Sequence, residues 1–292
     1  MMVVHNGPPP APRVDGDSRQ TGGRRLCDSD GGVPTGCVLL LNIDGLRGKA
    51  VQLAALVVAL AARGVHVLLI AVVESKLSRG VVSGFEPPGF IAVARRDRDG
   101  CGGGVLWLVH ESLVAVQLHL SPHALGDAEL AGIAVDGFVG GPLHAWVGYR
   151  PPKALPHPHF RAVAAARRAA DGAGARFQYA ADTNVKRFDG ARQDDTSFAR
   201  VPRSVPPRTA GGCAKEAAAA AAFAQLLDDG DLLVLSGTRA GCGNAELDAA
   251  THFWRHGGNL FVSELDYIVG CQRVAHAVLD SRTENNGPLS VI

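Results

Sequence analysis

The chain has 292 residues, 47% of them apolar, with 29 Lys and Arg against 28 Asp and Glu, a formal net charge of +1 and a sequence pI near 7.7. That length and apolar share support a sizeable core, in one large α/β domain or two small ones, of which one large domain is the simpler reading. The balanced charge excludes a global attraction to nucleic acid, so binding of that kind has to come from a local patch.

Residues 1–36 are rich in Pro, Gly, Asp and Arg without an apolar signal-peptide core, which predicts a disordered leader ahead of a domain over 37–292. The six cysteines, Cys27, Cys37, Cys101, Cys213, Cys242 and Cys271, form no C-x-x-C pair of the structural-zinc kind. They read as reduced thiols of an intracellular protein, nuclear or cytoplasmic rather than secreted. Residues 38–41 predict a strand, 49–62 a helix and 65–73 a second strand, a parallel pair joined by a right-handed crossover. The stretch 53–73 is almost wholly apolar and about long enough to span a bilayer. Arg63, Gly64 and His66 divide it into an Ala/Leu-rich helix and a buried strand, so no membrane contact is expected.

Beyond the turn at Glu86-Pro87-Pro88-Gly89, short strands are expected around 90–94, 105–109, 113–120, 132–136 and 146–149, a meander with tight turns. A helix over 159–170, a buried strand over 177–181, a Pro/Arg/Gly loop over 200–212 and a helix over 214–227 follow. The Ala run 217–222 in that helix is strongly helix-forming. Strand-like segments at 232–235, 265–269, 274–279 and 289–292 close the chain.

Five motifs fall where strands end: Asn42-Ile43-Asp44-Gly45-Leu46-Arg47, Glu74-Ser75-Lys76-Leu77, Gly148-Tyr149-Arg150-Pro151-Pro152, Ala181-Asp182-Thr183-Asn184, and Ser263-Glu264-Leu265-Asp266-Tyr267-Ile268-Val269. Alone, Asn42 reads as a turn residue, Glu74 as a solvated strand end and Tyr149 as a strand-edge aromatic before a Pro-Pro turn. In this order the five resemble the endonuclease/exonuclease/phosphatase superfamily, most closely the apurinic/apyrimidinic-type endonuclease domains of non-LTR retrotransposons. The run Arg98-Asp99-Gly100-Cys101-Gly102-Gly103-Gly104-Val105 looks like the glycine-rich turn that enters their third core strand.

The resemblance, which covers 38–292, implies a DNase I-like four-layered α/β sandwich: two packed mixed sheets flanked by helices, with the site at the mouth between the sheets. It implies that Glu74 is the principal ligand of Mg²⁺ (or Mn²⁺), with Asn42 holding phosphate or metal-bound water. Tyr149 would contact the scissile phosphate, Asp182 and Asn184 would orient the attacking water and phosphate oxygens, and Asp266 would orient a histidine from the last motif. In-line attack on a phosphodiester calls for such a set: a positioned water, a divalent cation and rigid donors. Mg²⁺ takes hard oxygen ligands and keeps several waters, so one or two carboxylates suffice. DNA is the expected substrate or ligand.

The final motif departs from the family's Ser-Asp-His. In Thr283-Glu284-Asn285-Asn286-Gly287-Pro288, Asn285 stands in the place of the metal-side Asp and Asn286 in that of the His. Asn285 has no charge to hold a cation, and Asn286 donates a neutral hydrogen bond but cannot become a cation. Loss of one preorganised donor of this kind slows a reaction by about 100- to 1,000-fold. The expectation is a phosphodiesterase-type domain with impaired catalysis. Its alternatives are a catalytically silent domain that binds nucleic acid or protein, or a decayed retroelement fragment.

Other signals have plainer readings. His157 and His159, and His252 with His256 spaced for a helix face, can bind metal by spacing but lack a carboxylate or Cys partner, and read as surface histidines. Gly102-Gly103-Gly104 lacks the Lys and the helix of a phosphate-binding loop and reads as a hairpin turn. Arg161, Arg167 and Arg168 read as a solvated helix face that could touch DNA phosphates.

Overall fold

The computed structural model describes residues 2–6, 36–78, 80–81, 83–98, 102–136, 141–185, 190–192, 200–202, 214–235, 252–256, 259–263, 266–275 and 278–283. In chain order the elements are β1 (Met2–Asn6), β2 (Gly36–Asn42), α1 (Leu46–Ala62), β3 (His66–Val73), β4 (Phe90–Arg96), β5 (Val105–His110), β6 (Val114–Leu118), α2 (Pro122–Leu125), β7 (Glu129–Asp136) and β8 (Leu143–Tyr149). There follow α3 (Pro156–Gly172), β9 (Arg176–Asp182), β10 (Gly190–Arg192), β11 (Arg200–Pro202), α4 (Ala214–Asp229), β12 (Leu232–Val234), β13 (His252–His256), β14 (Asn259–Ser263), β15 (Asp266–Cys271), α5 (Gln272–Ala275) and β16 (Val278–Thr283).

Two strand–helix–strand units organise the molecule. β2 and β3 are parallel neighbours joined by α1, and β8 and β9 are parallel neighbours joined by α3. The first unit centres a six-stranded sheet of order β16-β1-β2-β3-β5-β4, and the second an eight-stranded sheet of order β10-β11-β12-β15-β9-β8-β7-β6. Strands covered on both faces read as continuous apolar runs rather than alternations. β2 accordingly buries every residue except its last, Asn42, and β9 buries all seven.

The alternation of side chains sorts the strands' residues between two cores. Val38, Leu40, Leu69, Ala71 and Trp107 of the first sheet join Ile133, Ala145, Val147 and Tyr179 of the second in a core between the sheets. Leu39, Leu41, Ile70, Val72 and Leu106 pack on Leu53, Leu56 and Leu60 of α1. On the far side of the eight-stranded sheet, Phe223 of α4 lies against Phe160 of α3 and Tyr267 of β15, with ring centroids 5.5 and 4.9 Å away. The layers run α1, sheet, sheet, α3 with α4: the expected four-layered α/β sandwich with two mixed sheets.

Several expectations change. The meander is divided, because β4 pairs with β5 in one sheet while β6, β7 and β8 pair in the other. Met2–Asn6, inside the expected disordered leader, forms a strand between β2 and β16, where the pairing edge of β2 offers its backbone partners. Residues 7–35 lie outside the described residues. The expected loop over 200–212 begins with β11, which pairs with β10 and β12.

The expected strand over 274–279 is instead α5 followed by β16. The chain turns off the sheet there because Arg273 donates to the carbonyls of Gly174 and Ala175, and Val274 is buried beside Gly270. The segment 289–292 lies outside the described residues. Within the stretch that could have spanned a membrane, α1 ends at Ala62 and β3 begins at His66. No helix among the described residues is long and apolar enough to cross a bilayer. Cys37 and Cys271 are buried and in no disulfide.

Candidate active site

The carboxyl ends of parallel strands are where open α/β sheets bind ligands, because there the loops diverge around unfilled backbone ends. Both strand–helix–strand units bring such ends to one edge of the sandwich. Asn42 is the last residue of β2 and Glu74 the first beyond β3, while Tyr149 and Asp182 are the last residues of β8 and β9 and lie opposite one another in register. Antiparallel neighbours contribute their opposite ends: Asp266 opens β15 in register with Asp182, and Glu129 opens β7 in register with Tyr149.

Asn42 ties the two sheets together. Its Nδ2 donates to Asp182 Oδ2 at 3.1 Å and lies 3.4 Å from Glu74 Oε1, so a single amide sits between two carboxylates from different sheets. Asp182 is buried and Glu74 half-buried. The Tyr149 hydroxyl is held protonated far above the ordinary phenol range, first by burial and then by the charges of Glu74 and Asp182, with a hydrogen bond to Glu74. Lys76 bonds Asp44 and lies 3.9 Å from Glu74 Oε2. That bond to Lys76 holds the Asp44 carboxyl below the usual range.

The backbone under these side chains is unusual. Of the five non-glycine residues with left-handed φ among the described residues, four are here: Asp44 at 46°, Glu74 at 52°, Lys76 at 48° and Asn184 at 49°. Such conformations cost about 1–3 kcal/mol each and persist only where surrounding contacts impose them. On the Glu74 side those contacts are backbone hydrogen bonds. Ser75 and Lys76 donate to the carbonyls of Gly104 and Gly103, and Gly45 and Leu46 donate to those of Glu74 and Ser75. This docking of the first turn on Ser75 starts α1 at Leu46, earlier than the expected 49.

The glycine run is therefore a turn, as expected, but one that props the Glu74 loop. Gly104 donates in turn to Glu129 Oε2 at 2.8 Å, and Arg98 lies 3.4 Å from Glu129 Oε1. Glu129 escaped the sequence reading, which began that strand at Gly132. Its one signal was a carboxylate heading an apolar run. Burial raises the Glu129 pKa, and the Gly104 N–H and Arg98 offset part of that shift.

On the other side, Asn184 N–H donates to Asp182 Oδ1 at 3.0 Å, and Asn184 Nδ2 donates to the Arg150 carbonyl at 2.9 Å. Asn42, Glu74, Tyr149, Asp182 and Asn184 are thus brought to one place, with Asp266 joined to it by register. Asn285 and Asn286 lie outside the described residues.

The histidines lie elsewhere than expected. His159 is in the first turn of α3 rather than on a surface loop, is 4% exposed, and shares a 2.6 Å hydrogen bond with the Tyr179 hydroxyl. Burial, aided by the Arg150 charge, pushes its pKa down to about 3. His252 and His256 belong to strand β13, not a helix. Four residues along a strand separate their backbones by about 13 Å, against about 6 Å for the helical spacing expected. Arg167 of the expected solvated face lies over the Phe177 ring and donates to the Gly230 carbonyl, while Arg161 and Arg168 are exposed.

No family profile and no curated protein matches the sequence. Among solved structures, the chain is similar to the 3′ phosphatase NExo from Neisseria bound to a product DNA hairpin, with a TM-score of 0.50, 13% identity, and 82% of this chain and 87% of that one covered. The chain has the DNase I-like fold. The chain is also similar to the endonuclease domain of TRAS1, a telomere-specific non-LTR retrotransposon (TM-score 0.48, 13% identity, 80% and 84% covered), and to the Xenopus laevis APE2 catalytic domain (0.49, 15%, 82% and 83%).

The donors at the mouth of this fold suit a hard divalent cation. Glu74 offers a carboxylate at a partly open strand end, Asn42 an amide, and Asp182 a second negative charge one hydrogen bond away. Mg²⁺ and Mn²⁺ bind through one or two carboxylates with water completing the shell. Among the described residues no three His, Cys, Asp or Glu side chains converge into a closed metal cage.

Proposed function

We propose that this chain is a metal-dependent phosphodiesterase of nuclease type that acts on DNA, with catalysis impaired by Asn285 and Asn286. The observation that carries the reading is the Asn42 amide between the Glu74 and Asp182 carboxylates at the mouth between the sheets. DNA as the ligand is supported by the family resemblance of the motifs and by the product DNA bound to NExo.

In this reading Glu74 and Asn42 hold Mg²⁺ or Mn²⁺, with Asn285 in the place of a further ligand. The bound cation supplies charge neutralisation to the phosphoryl oxygens. Asp182, fixed by Asn184 N–H and by Asn42, orients the attacking water. Tyr149, held protonated, donates to a phosphate oxygen, and the Asn184 amide completes the cradle. Asp266, in register with Asp182, orients the residue at 286. Asn286 can donate to a phosphate oxygen but brings no positive charge, which leaves the transition state short of one stabilising group.

The test is nicking of supercoiled plasmid and of an abasic duplex with Mg²⁺ by the unmodified chain, Glu74→Ala, and Asn285→Asp with Asn286→His. The double change is expected to raise the rate by about 100-fold or more, and Glu74→Ala to abolish it. No cleavage by the doubly changed chain, alongside salt-dependent DNA binding by the unmodified one, favours the silent binding domain, a reading that the Asn285-Asn286 replacement itself supports.

A further inference from the structure

We infer that Arg150 is the positioning residue of this site: its buried guanidinium sets the Asp182–Asn184 turn and, through it, the carboxylate that meets Asn42. The inference deepens the site reading above and rests on it for its functional meaning.

Arg150 is 3% exposed. Three of its donors go to backbone carbonyls: Nε to Thr183 at 2.6 Å, Nη2 to Asn184 at 2.7 Å and Nη1 to Ala154 at 3.0 Å. Its own N–H donates to the Asp182 carbonyl at 3.0 Å, and its carbonyl accepts from Asn184 Nδ2. Every residue of the turn is therefore bonded to Arg150. A planar guanidinium fork reaching two successive carbonyls fixes their relative orientation, which a point-charge ammonium does not.

The consequence passes to the carboxylate in short steps. Clamping the carbonyls of Thr183 and Asn184 holds Asn184 at its left-handed φ of 49°, and in that conformation the Asn184 N–H reaches Asp182 Oδ1. Asp182 is then left with Oδ2 aimed at Asn42, which lies in turn beside Glu74. Arg150 thus acts through Asn184 and Asp182, without a hydrogen bond of its own to a site carboxylate in this chain of contacts. The neutral His159 hydrogen-bonded to Tyr179 makes the cation of this buried corner the arginine alone of the two.

The test reads the turn directly, by nuclear magnetic resonance of the ¹⁵N-labelled chain. In the unmodified chain the Arg150 Nε–H signal is expected to exchange with water far more slowly than a solvated arginine. Exchange at the solvated rate overturns the clamp without any variant. In Arg150→Lys the charge stays and the fork is lost. The Asn42 and Asn184 side-chain amide signals should shift and Asn184 N–H exchange should quicken about 10-fold or more by local opening.

The Trp107 indole, bonded to the Ala131 carbonyl in the core between the sheets, should stay in place. Unmoved Asn42 and Asn184 signals in the folded variant, or all core amides quickening together, overturn the inference. Absence of nicking in the repaired chain would defeat the proposed function while leaving these signals as they are, so the two ideas fail separately.

Discussion

The two walls of the site are held by different means. The Glu74 wall belongs to the six-stranded sheet and is propped by backbone hydrogen bonds from the Gly103-Gly104 turn, with Glu129 beneath it. The Asp182 wall belongs to the eight-stranded sheet and is clamped by one buried side chain, Arg150, backed by the His159–Tyr179 pair. A wall propped by main chain tolerates side-chain change except where a Cβ cannot enter. A wall clamped by a side chain depends on that side chain and on the protonation of its buried neighbours. Both hold residues in left-handed backbone, so the likeness of outcome hides a difference of cause.

The largest effect expected from this contrast is at Gly104. Its φ is +84° and an added Cβ would lie 2.6 Å from Ser75 Oγ, so Gly104→Val should lower stability by about 2–4 kcal/mol in urea unfolding. A neutral result would mean that the Glu74 loop is not held by its glycine prop.

Next comes the acid sensitivity of the other wall. His159 stays neutral in the folded chain down to about pH 3 but takes a proton in the unfolded chain below 6.5. Its contribution is therefore present above about pH 6.5 and lost as pH falls. Between about pH 6.5 and 5 the unmodified chain should lose about 2 kcal/mol more than His159→Gln. Equal slopes for the two chains would remove the buried pair from the account of this wall.

The smallest effect is one of sign. Burial raises the Glu129 pKa, so its ionisation opposes folding as pH rises through and beyond the ordinary carboxylate range. Glu129→Gln keeps an acceptor for Gly104 and removes that charge. The variant should match the unmodified chain in acid and gain on it in thermal stability toward pH 8. A loss at pH 8 would make the Arg98 pairing, rather than the bond to Gly104, the main service of Glu129.

Much of the site is legible because five motifs fall at strand ends in an order that resembles one family. Asn42, Glu74, Tyr149 and Asp182 each have a plain reading alone, and it is that order which singles them out. Glu129 was not legible, because it opens its strand and a carboxylate there looks like any solvated end. His159 looked like a surface histidine because its burial depends on the Tyr179 hydroxyl, 20 positions along the chain. Arg150 lay inside a motif, yet its partners are carbonyls of other residues, and carbonyls leave no mark in a sequence.

By its own pattern, the sequence determined which segments are strands and helices and that the first helix joins a parallel pair, since the period and length of apolar runs are set by local geometry. It also determined which polar residues end those strands. Only the tertiary structure decided that β4 and β5 go to one sheet and β6, β7 and β8 to the other, that the two sets of strand ends face each other across Asn42, and that a glycine turn and a buried arginine hold them. Those outcomes come from hydrogen bonds and packing between residues tens of positions apart, and the residue types alone do not specify which carbonyl a donor will find.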